Sequence, residues 1–374
     1  MSKIKVTVLF GGQSSEHEVS RISAQCVLEN IDRNRFEVQT IGITKNGEWL
    51  RYEGDISLIG SGKWEEEARS QLRKVKDAGI LSKDIENVPT CRALVSFSDK
   101  DNPKGTVDVV FPILHGPNGE DGSVQGLLQL ADVPYVGCNI LASAAGMDKA
   151  FSKLVFADAG IPQADYLVVM RSEIDEKNDD ILNEVAEKLG WPCFVKPANA
   201  GSSVGVSKVK RPDDLMSALQ YAAKYDSKIL IEEFINGREV ECAVLGNDNP
   251  IASTVGEILP SNEFYDYNAK YIDGKSDTII PADIDKKIKE QVREYAVRAF
   301  KALGCSGLSR VDFFVEESGR VVLNEINTMP GFTDISMYSK LWEASGIPYT
   351  QLITRLIELA FESYHQRTRS YERK

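Results

Sequence analysis

An apolar run from Lys5 to Phe10 is followed, across a glycine pair, by Val19, Ile22, Cys26 and Val27 at helical spacing. The chain therefore opens as strand, turn and helix. FEVQTIGIT (36–44) and VDVVFPIL (107–114) read as further strands, the second running through a glycine-rich turn into the amphipathic SVQGLLQLAD. That alternation is the mark of a parallel α/β unit covered by helices. Residues 46–104 are more polar, carry one helical segment (WEEEARSQLRKVK), and read as an insertion on that unit. After PYVGCN the pattern turns helix-rich (ILASAAGMDKAFSKLVFADAG), which puts a domain boundary near residue 140. CFVKP and VGVSKV then flank ANAGSS, and a helix (DDLMSALQYAAKY) precedes the strand KILIEEF. From there REVECAVLG, IASTVGEIL, LSRVDFFVE and RVVLNEI are largely consecutive strands, an antiparallel pattern of α+β type. The interval 260–283 is a long loop with four aromatics, which favours a functional lid over a plain connector.

Composition narrows the function. With 42% apolar and 27% charged residues, the 374-residue chain has the make-up of an ordinary globular protein. Lys+Arg 44 against Asp+Glu 56 leaves a net charge of -12, which disfavours nucleic acid and anionic membrane as partners. An anionic ligand must then be held by local charge. The six cysteines are scattered singly without metal-ligand spacing and read as thiols of a reducing compartment. With no signal-peptide pattern and no run of about 18 apolar residues, a cytoplasmic location is expected.

GGQSSEHEVS (11–20) has the shape of a nucleotide-binding turn but only two of the three fingerprint glycines, and it carries glutamates where phosphate wants positive potential. Ser15 and Glu18 match a capping box, which leaves Glu16 either to compensate the helix dipole or to meet a cation such as an ammonium group. HGPNGEDG (115–122) is a second acidic glycine turn at a strand end, where His115 is either a satisfied core histidine or a substrate contact.

KPANAGSSVG (196–205) offers what the opening turn lacks, a lysine followed by small residues and hydroxyls that let backbone N–H groups approach an anion. It is either a flap over a triphosphate or an ordinary flexible hairpin, and Lys149 is a second candidate cation or a solvated helical lysine. In SRVDFFVEESGRVVLNEINT (309–328), a two-residue turn at Ser318-Gly319 would set Asp312 opposite Glu325 and Arg310 opposite Asn327. One face would then hold an arginine and three oxygen ligands, a set suited to Mg²⁺, with an Arg310–Asp312 salt bridge as the alternative.

Taken together, GGxSxEHxVS, HGxxGEDG, KPxxxGSSVG, FYDYNAKY, RVDF and NEINTMPGF resemble, in order and across nearly the whole chain, the D-alanine-D-alanine ligases of the ATP-grasp superfamily. The resemblance implies three domains: an N-terminal parallel α/β domain (1–140, with the 46–104 insertion), a central helix-plus-sheet subdomain with the glycine-rich flap (141–228), and a C-terminal antiparallel catalytic domain (229–374). It implies that Glu16 binds the ammonium of the first D-alanine, with Ser202 and Tyr271 hydrogen-bonded beside it and His115 nearby. Lys149, Lys196, Ser202, Ser203 and Lys270 would serve the ATP phosphates, and Glu239 the ribose. Glu232, Phe234, Ile235 and Phe314 would surround the adenine. Asp312, Glu325 and Asn327 would hold two Mg²⁺ ions, or Mn²⁺ in their place. Arg310 and the Gly331 N–H would form the oxyanion site, and Ser336 and Met337 would meet the carboxylate of the second D-alanine. Methionine stands at 337 where the family often has leucine, a conservative change.

The implied reaction phosphorylates the first D-alanine carboxylate, and the amine of the second attacks the acyl phosphate beneath a lid, Phe264 to Tyr271, that keeps water out. The resemblance also carries peptidoglycan precursor synthesis and a homodimer as expectations. Ligases that make D-alanyl-D-lactate or D-alanyl-D-serine share the phosphate and metal parts, so the acceptor stays open, although Tyr271 in AKY resembles the dipeptide-forming type. A non-catalytic nucleotide-sensing module would lack Arg310, Asp312, Glu325 or Asn327, and all four are present.

Overall fold

In β1 (Ile4–Gly11), Val6, Val8 and Phe10 are buried on one face and Leu9 on the other, the signature of a strand between two helical layers. The computed structural model to which this strand belongs describes residues 2–77, 107–259 apart from 175 and 177, and 277–367. After β1 come α1 (His17–Asn30), β2 (Phe36–Ile43), β3 (Trp49–Tyr52), α2 (Ile56–Ser61), α3 (Trp64–Asp77), β4 (Val109–Ile113) and α4 (Ser123–Leu130). The sheet order is β3-β2-β1-β4, with β2 and β4 parallel to β1 and β3 antiparallel at the edge.

Two expectations change here. The buried face of α1 runs through Val19, Ser23, Ala24 and Val27, while Ile22, expected in the core, is 44% exposed. Of residues 46–104, the described part is built into the domain rather than added to it. β3 extends the sheet, and Trp64, 1% exposed, packs edge-on against Phe10 with ring centroids 4.8 Å apart. Gly42 admits that ring, because a Cβ there would lie 2.3 Å from it. A polar helix that buries one large aromatic, with Ala68 one turn on, reads as solvent-facing in composition yet is anchored in the core.

The helix-rich piece that follows is two helices, α5 (Ile140–Met147) and α6 (Lys149–Asp158). Asp148 separates them and caps the second by accepting from Phe151 N at 3.1 Å. β5 (Tyr166–Met170), α7 (Asn178–Lys188), β6 (Cys193–Pro197), β7 (Ser207–Val209), α8 (Leu215–Ala222) and β8 (Lys228–Glu233) complete the second unit, an antiparallel sheet of order β5-β8-β6-β7. Val185, Leu215 and Leu219 pack against Val195, Ile229 and Ile231 on one face. β8, which a boundary at 228 would assign to the third domain, is an inner strand here, paired with both β5 and β6.

The third unit comprises β9 (Gly237–Gly246), β10 (Ile251–Leu259), β11 (Asp277–Ile279), α9 (Lys286–Ala302), β12 (Gly307–Glu316), β13 (Val321–Asn327), α10 (Met337–Ala344) and α11 (Tyr349–Gln366). Its antiparallel sheet has the order β11-β10-β9-β12-β13. α9 covers one face through Val292, Ala296 and Phe300. On the other side Leu352 and Leu356 of α11 share a core with Val8 and Phe111 of the first sheet, so this helix ties the third unit to the first.

The β12–β13 hairpin differs from the two-residue turn expected. Glu316 N donates to Arg320 O at 3.0 Å and Gly319, at φ 86°, donates its N–H to Glu316 O at 2.9 Å. The loop is therefore the three residues Glu317 to Gly319, closed by a left-handed glycine. A bulge between Asp312 and Phe313 then shifts the register back, so Arg310 does face Asn327 and Asp312 does face Glu325. Two one-residue errors cancel.

Candidate active site

The opening turn delivers Glu16 to the end of β1 as the N-cap of α1. Ser14 Oγ accepts from Glu16 N at 3.1 Å, and no side-chain bond caps the helix. The expected Ser15–Glu18 capping box is absent. Glu18 instead ion-pairs with Lys45 at 2.5 Å, because the helix starts at His17 and Glu18 lies in its first turn, facing the loop after β2. Glu16 is only 6% exposed, and Ser202 Oγ donates to its Oε1. A Cβ on Gly116 or Gly201 would come within 2.6 or 2.8 Å of Oε2, so both glycines are needed for the two turns to close on this carboxylate. Ser202 and Ser203, at φ 50° and 59°, make the sharp turn of the flap.

His115 sits beside Glu16, but both its ring nitrogens are engaged. Nδ1 donates to Met329 O (3.0 Å), and Nε2 accepts from Ser23 Oγ (3.2 Å). Burial lowers its pKa, which fits the neutral ring this pairing requires. Ser23 Oγ also accepts from Phe332 N at 3.2 Å, and Glu120 Oε1 accepts from Met329 N at 3.3 Å while Oε2 accepts from Gly116 N at 2.7 Å. Three side chains of the first domain thus grip residues 329–332, the turn that carries Gly331. Sequence reading missed Ser23 and Glu120, although Glu120 lay inside HGPNGEDG.

The Glu120 pKa is pushed up to about 8, first by burial and then by the nearby Glu16 charge. A carboxyl that holds its proton more tightly in the folded chain stabilises the fold fully below its ordinary value, 4.5, and that contribution is lost as pH rises through about 8. Glu120→Gln cannot ionise and is expected to lose less thermal stability than the parent between about pH 5 and about pH 9. Equal falls in Tm would refute the shift.

On the hairpin, Arg310 Nε and Nη2 donate to Asp312 Oδ1 and Oδ2 at 2.8 and 2.7 Å, and Nε lies 3.0 Å from Glu241 Oε2 on β9. Asn327 Nδ2 donates to Asp312 Oδ2 at 3.0 Å. Arg310, Glu325, Asn327, Gly331, Ser336 and Met337 line one cavity of about 410 Å³ together with Glu16, His115, Lys149 and Ser202. Asp312 does not line it. At 2% exposure it lies behind Arg310 and Asn327. Among the described residues no three His, Cys, Asp or Glu side chains cluster around a metal-sized point. The donor set nevertheless fits Mg²⁺, which takes one or two carboxylates and completes its octahedron with water and phosphate oxygens. Ser336 is the N-cap of α10 and exchanges a 2.8 Å hydrogen bond with Thr333 Oγ1, which places the start of that helix at the cavity wall.

A second cavity of about 580 Å³ meets the first at Lys149, Ser202 and Glu325 and lies between the central and third sheets. Lys196, Ser203, Phe234, Ile235, Glu239 and Phe314 line it, with Glu232 at its base. Lys149 Nζ donates to Ala200 O at 2.8 Å and lies 3.4 Å from Glu325 Oε2, joining flap to hairpin. Burial alone would raise the Glu232 carboxyl, but Lys196 and Lys153 more than offset this and hold it below the usual range. Lys153 Nζ is 2.9 Å from Glu232, and Lys208 lies 4.2 Å above the Phe234 ring. Neither lysine was singled out from the sequence. Lys270 and Tyr271 fall outside the described residues.

The two cavities thus meet at a lysine, a serine and a glutamate, the first lined by the carboxylates of Glu16, Glu120, Glu241 and Glu325 and the second by Lys153, Lys196, Lys208 and the rings of Phe234 and Phe314. The family descriptions "D-ala D-ala ligase N-terminus" and "D-ala D-ala ligase C-terminus" match residues 5–138 and 155–358. The chain belongs to the D-alanine-D-alanine ligase family. Among its relatives, a D-alanine--D-alanine ligase of Ruminiclostridium cellulolyticum is 56% identical, covering 99% of each chain, and one of Acetivibrio thermocellus is 57% identical with the same coverage. Among solved structures, the VanG D-Ala:D-Ser ligase of Enterococcus faecalis superposes with a TM-score of 0.79 at 39% identity, covering 96% of this chain and all of that one. The D-alanine-D-alanine ligase of Coxiella burnetii gives 0.77 at 35%, covering 98% and 96%. The ATP-grasp fold is thereby shared, and the family uses ATP and a divalent metal.

Proposed function

We propose that the chain joins two D-alanines into D-alanyl-D-alanine, with ATP converted to ADP and phosphate, as a step towards peptidoglycan precursors. The observation that carries this is the meeting of Glu16, Ser202, Arg310 and Gly331 around one cavity that opens at Lys149 into the nucleotide cavity. Glu16 holds the ammonium of the first D-alanine and turns its carboxylate towards the seam. Lys149, Lys196 and the flap N–H groups around Ser202 and Ser203 hold the phosphates, and Glu239 the ribose. Mg²⁺, as two ions held by Asp312, Glu325 and Asn327, would supply charge neutralisation at the transferring phosphoryl group. Arg310 and the Gly331 N–H steady the oxyanion formed when the second amine attacks the acyl phosphate. Ser336, Met337 and the start of α10 receive the second carboxylate. Lys270 and Tyr271 are assigned to phosphate and to the Glu16–Ser202 pair through their motif.

A homodimer is part of this reading, supported by exposed Leu130, Leu141 and Leu154 on α4, α5 and α6, and so is a cytoplasmic place of action. Among the described residues no helix is long and apolar enough to cross a membrane. A D-serine acceptor is the second reading, favoured by the likeness to the D-Ala:D-Ser ligase. Full-length protein with ATP and Mg²⁺ is expected to release ADP when D-alanine is added and not with L-alanine. Adding D-serine or D-lactate beside D-alanine ranks the acceptors. Equal turnover with both alanine enantiomers would end the assignment.

A further inference from the structure

Glu241, Asp312 and Glu325 stand on directly paired positions of three neighbouring strands, β9, β12 and β13, and so form one row of carboxylates. Arg310 lies between the first two, its fork closed on both oxygens of Asp312 and its Nε 3.0 Å from Glu241 Oε2. Asp312 Oδ2 also accepts from Asn327. Three of the roughly four lone-pair sites of Asp312 are therefore committed to the arginine and the amide. A divalent cation bound at about 2.0–2.1 Å would have one lone pair of Oδ1, beside the guanidinium charge, unless the fork opens. The Arg310 fork and the metal are rivals for Asp312.

A guanidinium displaced from Asp312 inside this cleft needs another carboxylate within reach. Glu241 is buried, already in contact, and on the side of Arg310 away from β13. We propose that Glu241 is a positioning residue which takes over Arg310 when Asp312 turns to the metal, so that metal binding and oxyanion stabilisation do not compete for one side chain. This rests on the metal-dependent ligase reading above. Glu241 was not singled out from the sequence, although it stands two residues beyond Glu239 on one strand and so shares its face.

The test is Mn²⁺ binding to the full chain, read from the electron paramagnetic resonance signal of free Mn²⁺, which needs no turnover. Glu241→Gln is expected to weaken Mn²⁺ about tenfold in the parent and less than about twofold in an Arg310→Gln background, the non-additivity that marks an effect passed through Arg310. Arg310→Gln alone is expected to tighten Mn²⁺. Equal weakening in both backgrounds would mean that Glu241 acts only as a negative charge, and no weakening in either would mean that it does not act; each overturns the proposal. If Glu241→Gln does not fold by circular dichroism, Glu241→Asp is measured in both backgrounds, with a smaller loss of the same pattern expected. Failure of the ligase reading is seen separately, as absent D-alanine-dependent ADP release by the parent.

Discussion

Arg310→Lys is expected to lower kcat for D-alanine-dependent ADP release by about 10²–10³-fold, the cost typical of losing one oxyanion donor. Lysine keeps the charge, so a purely electrostatic role would survive. What it cannot reproduce is the fork. Arg310 meets Asp312 through two nitrogens and Glu241 through one of them, and these contacts fix the guanidinium in the wall of the cavity that Gly331 also lines. An ammonium is a point donor on a flexible stem and has no such fixed direction. The KM for ATP is expected to move little, because Arg310 lines the first cavity and not the second, to which ATP is assigned in the proposed function. Steady-state kinetics with ATP and D-alanine varied in turn check this, and a kcat within about threefold of the parent would remove Arg310 from the oxyanion site.

The hairpin that carries Arg310 was legible because strand alternation is local. Once 309–316 and 321–327 are strands, side chains two apart share a face whatever the turn does, and here a longer loop and a bulge compensated each other. The grip on residues 329–332 was not legible in the same way. Ser23, His115 and Glu120 reach Met329 and Phe332 across 209 to 309 residues of sequence, and no periodicity encodes such a meeting. The capping box failed for a related reason. Ser15 and Glu18 have the right spacing, but the helix starts at His17 with Glu16 as its N-cap, and Glu18 meets Lys45 from the loop after β2 instead. Trp64 shows the same override in the core, since α3 is polar in composition yet buries that ring against Phe10 and Tyr52.

Glu16→Gln is expected to raise the KM for the first D-alanine by about 10–100-fold, the range for losing a hydrogen bond to a charged group. ATP affinity should stay within about twofold. Glutamine has nearly the same size and can still accept from Ser202 Oγ, so the contact between turn and flap survives. Only the negative charge goes. That charge sits 6% exposed against Gly116 and Gly201, a setting in which an unpaired carboxylate is costly and an ammonium partner correspondingly well held. Ser202→Ala gives the complementary case, because it leaves the charge and cuts the contact. It is expected to disturb the flap, and with it ATP, more than the first amino acid. Titrating ATP with a fluorescent analogue alongside D-alanine kinetics separates the two variants. Should Glu16→Gln weaken ATP alone, the turn at residues 11–20 would be a phosphate site in spite of its glutamates, and the direction assigned to the first substrate would have to be reversed.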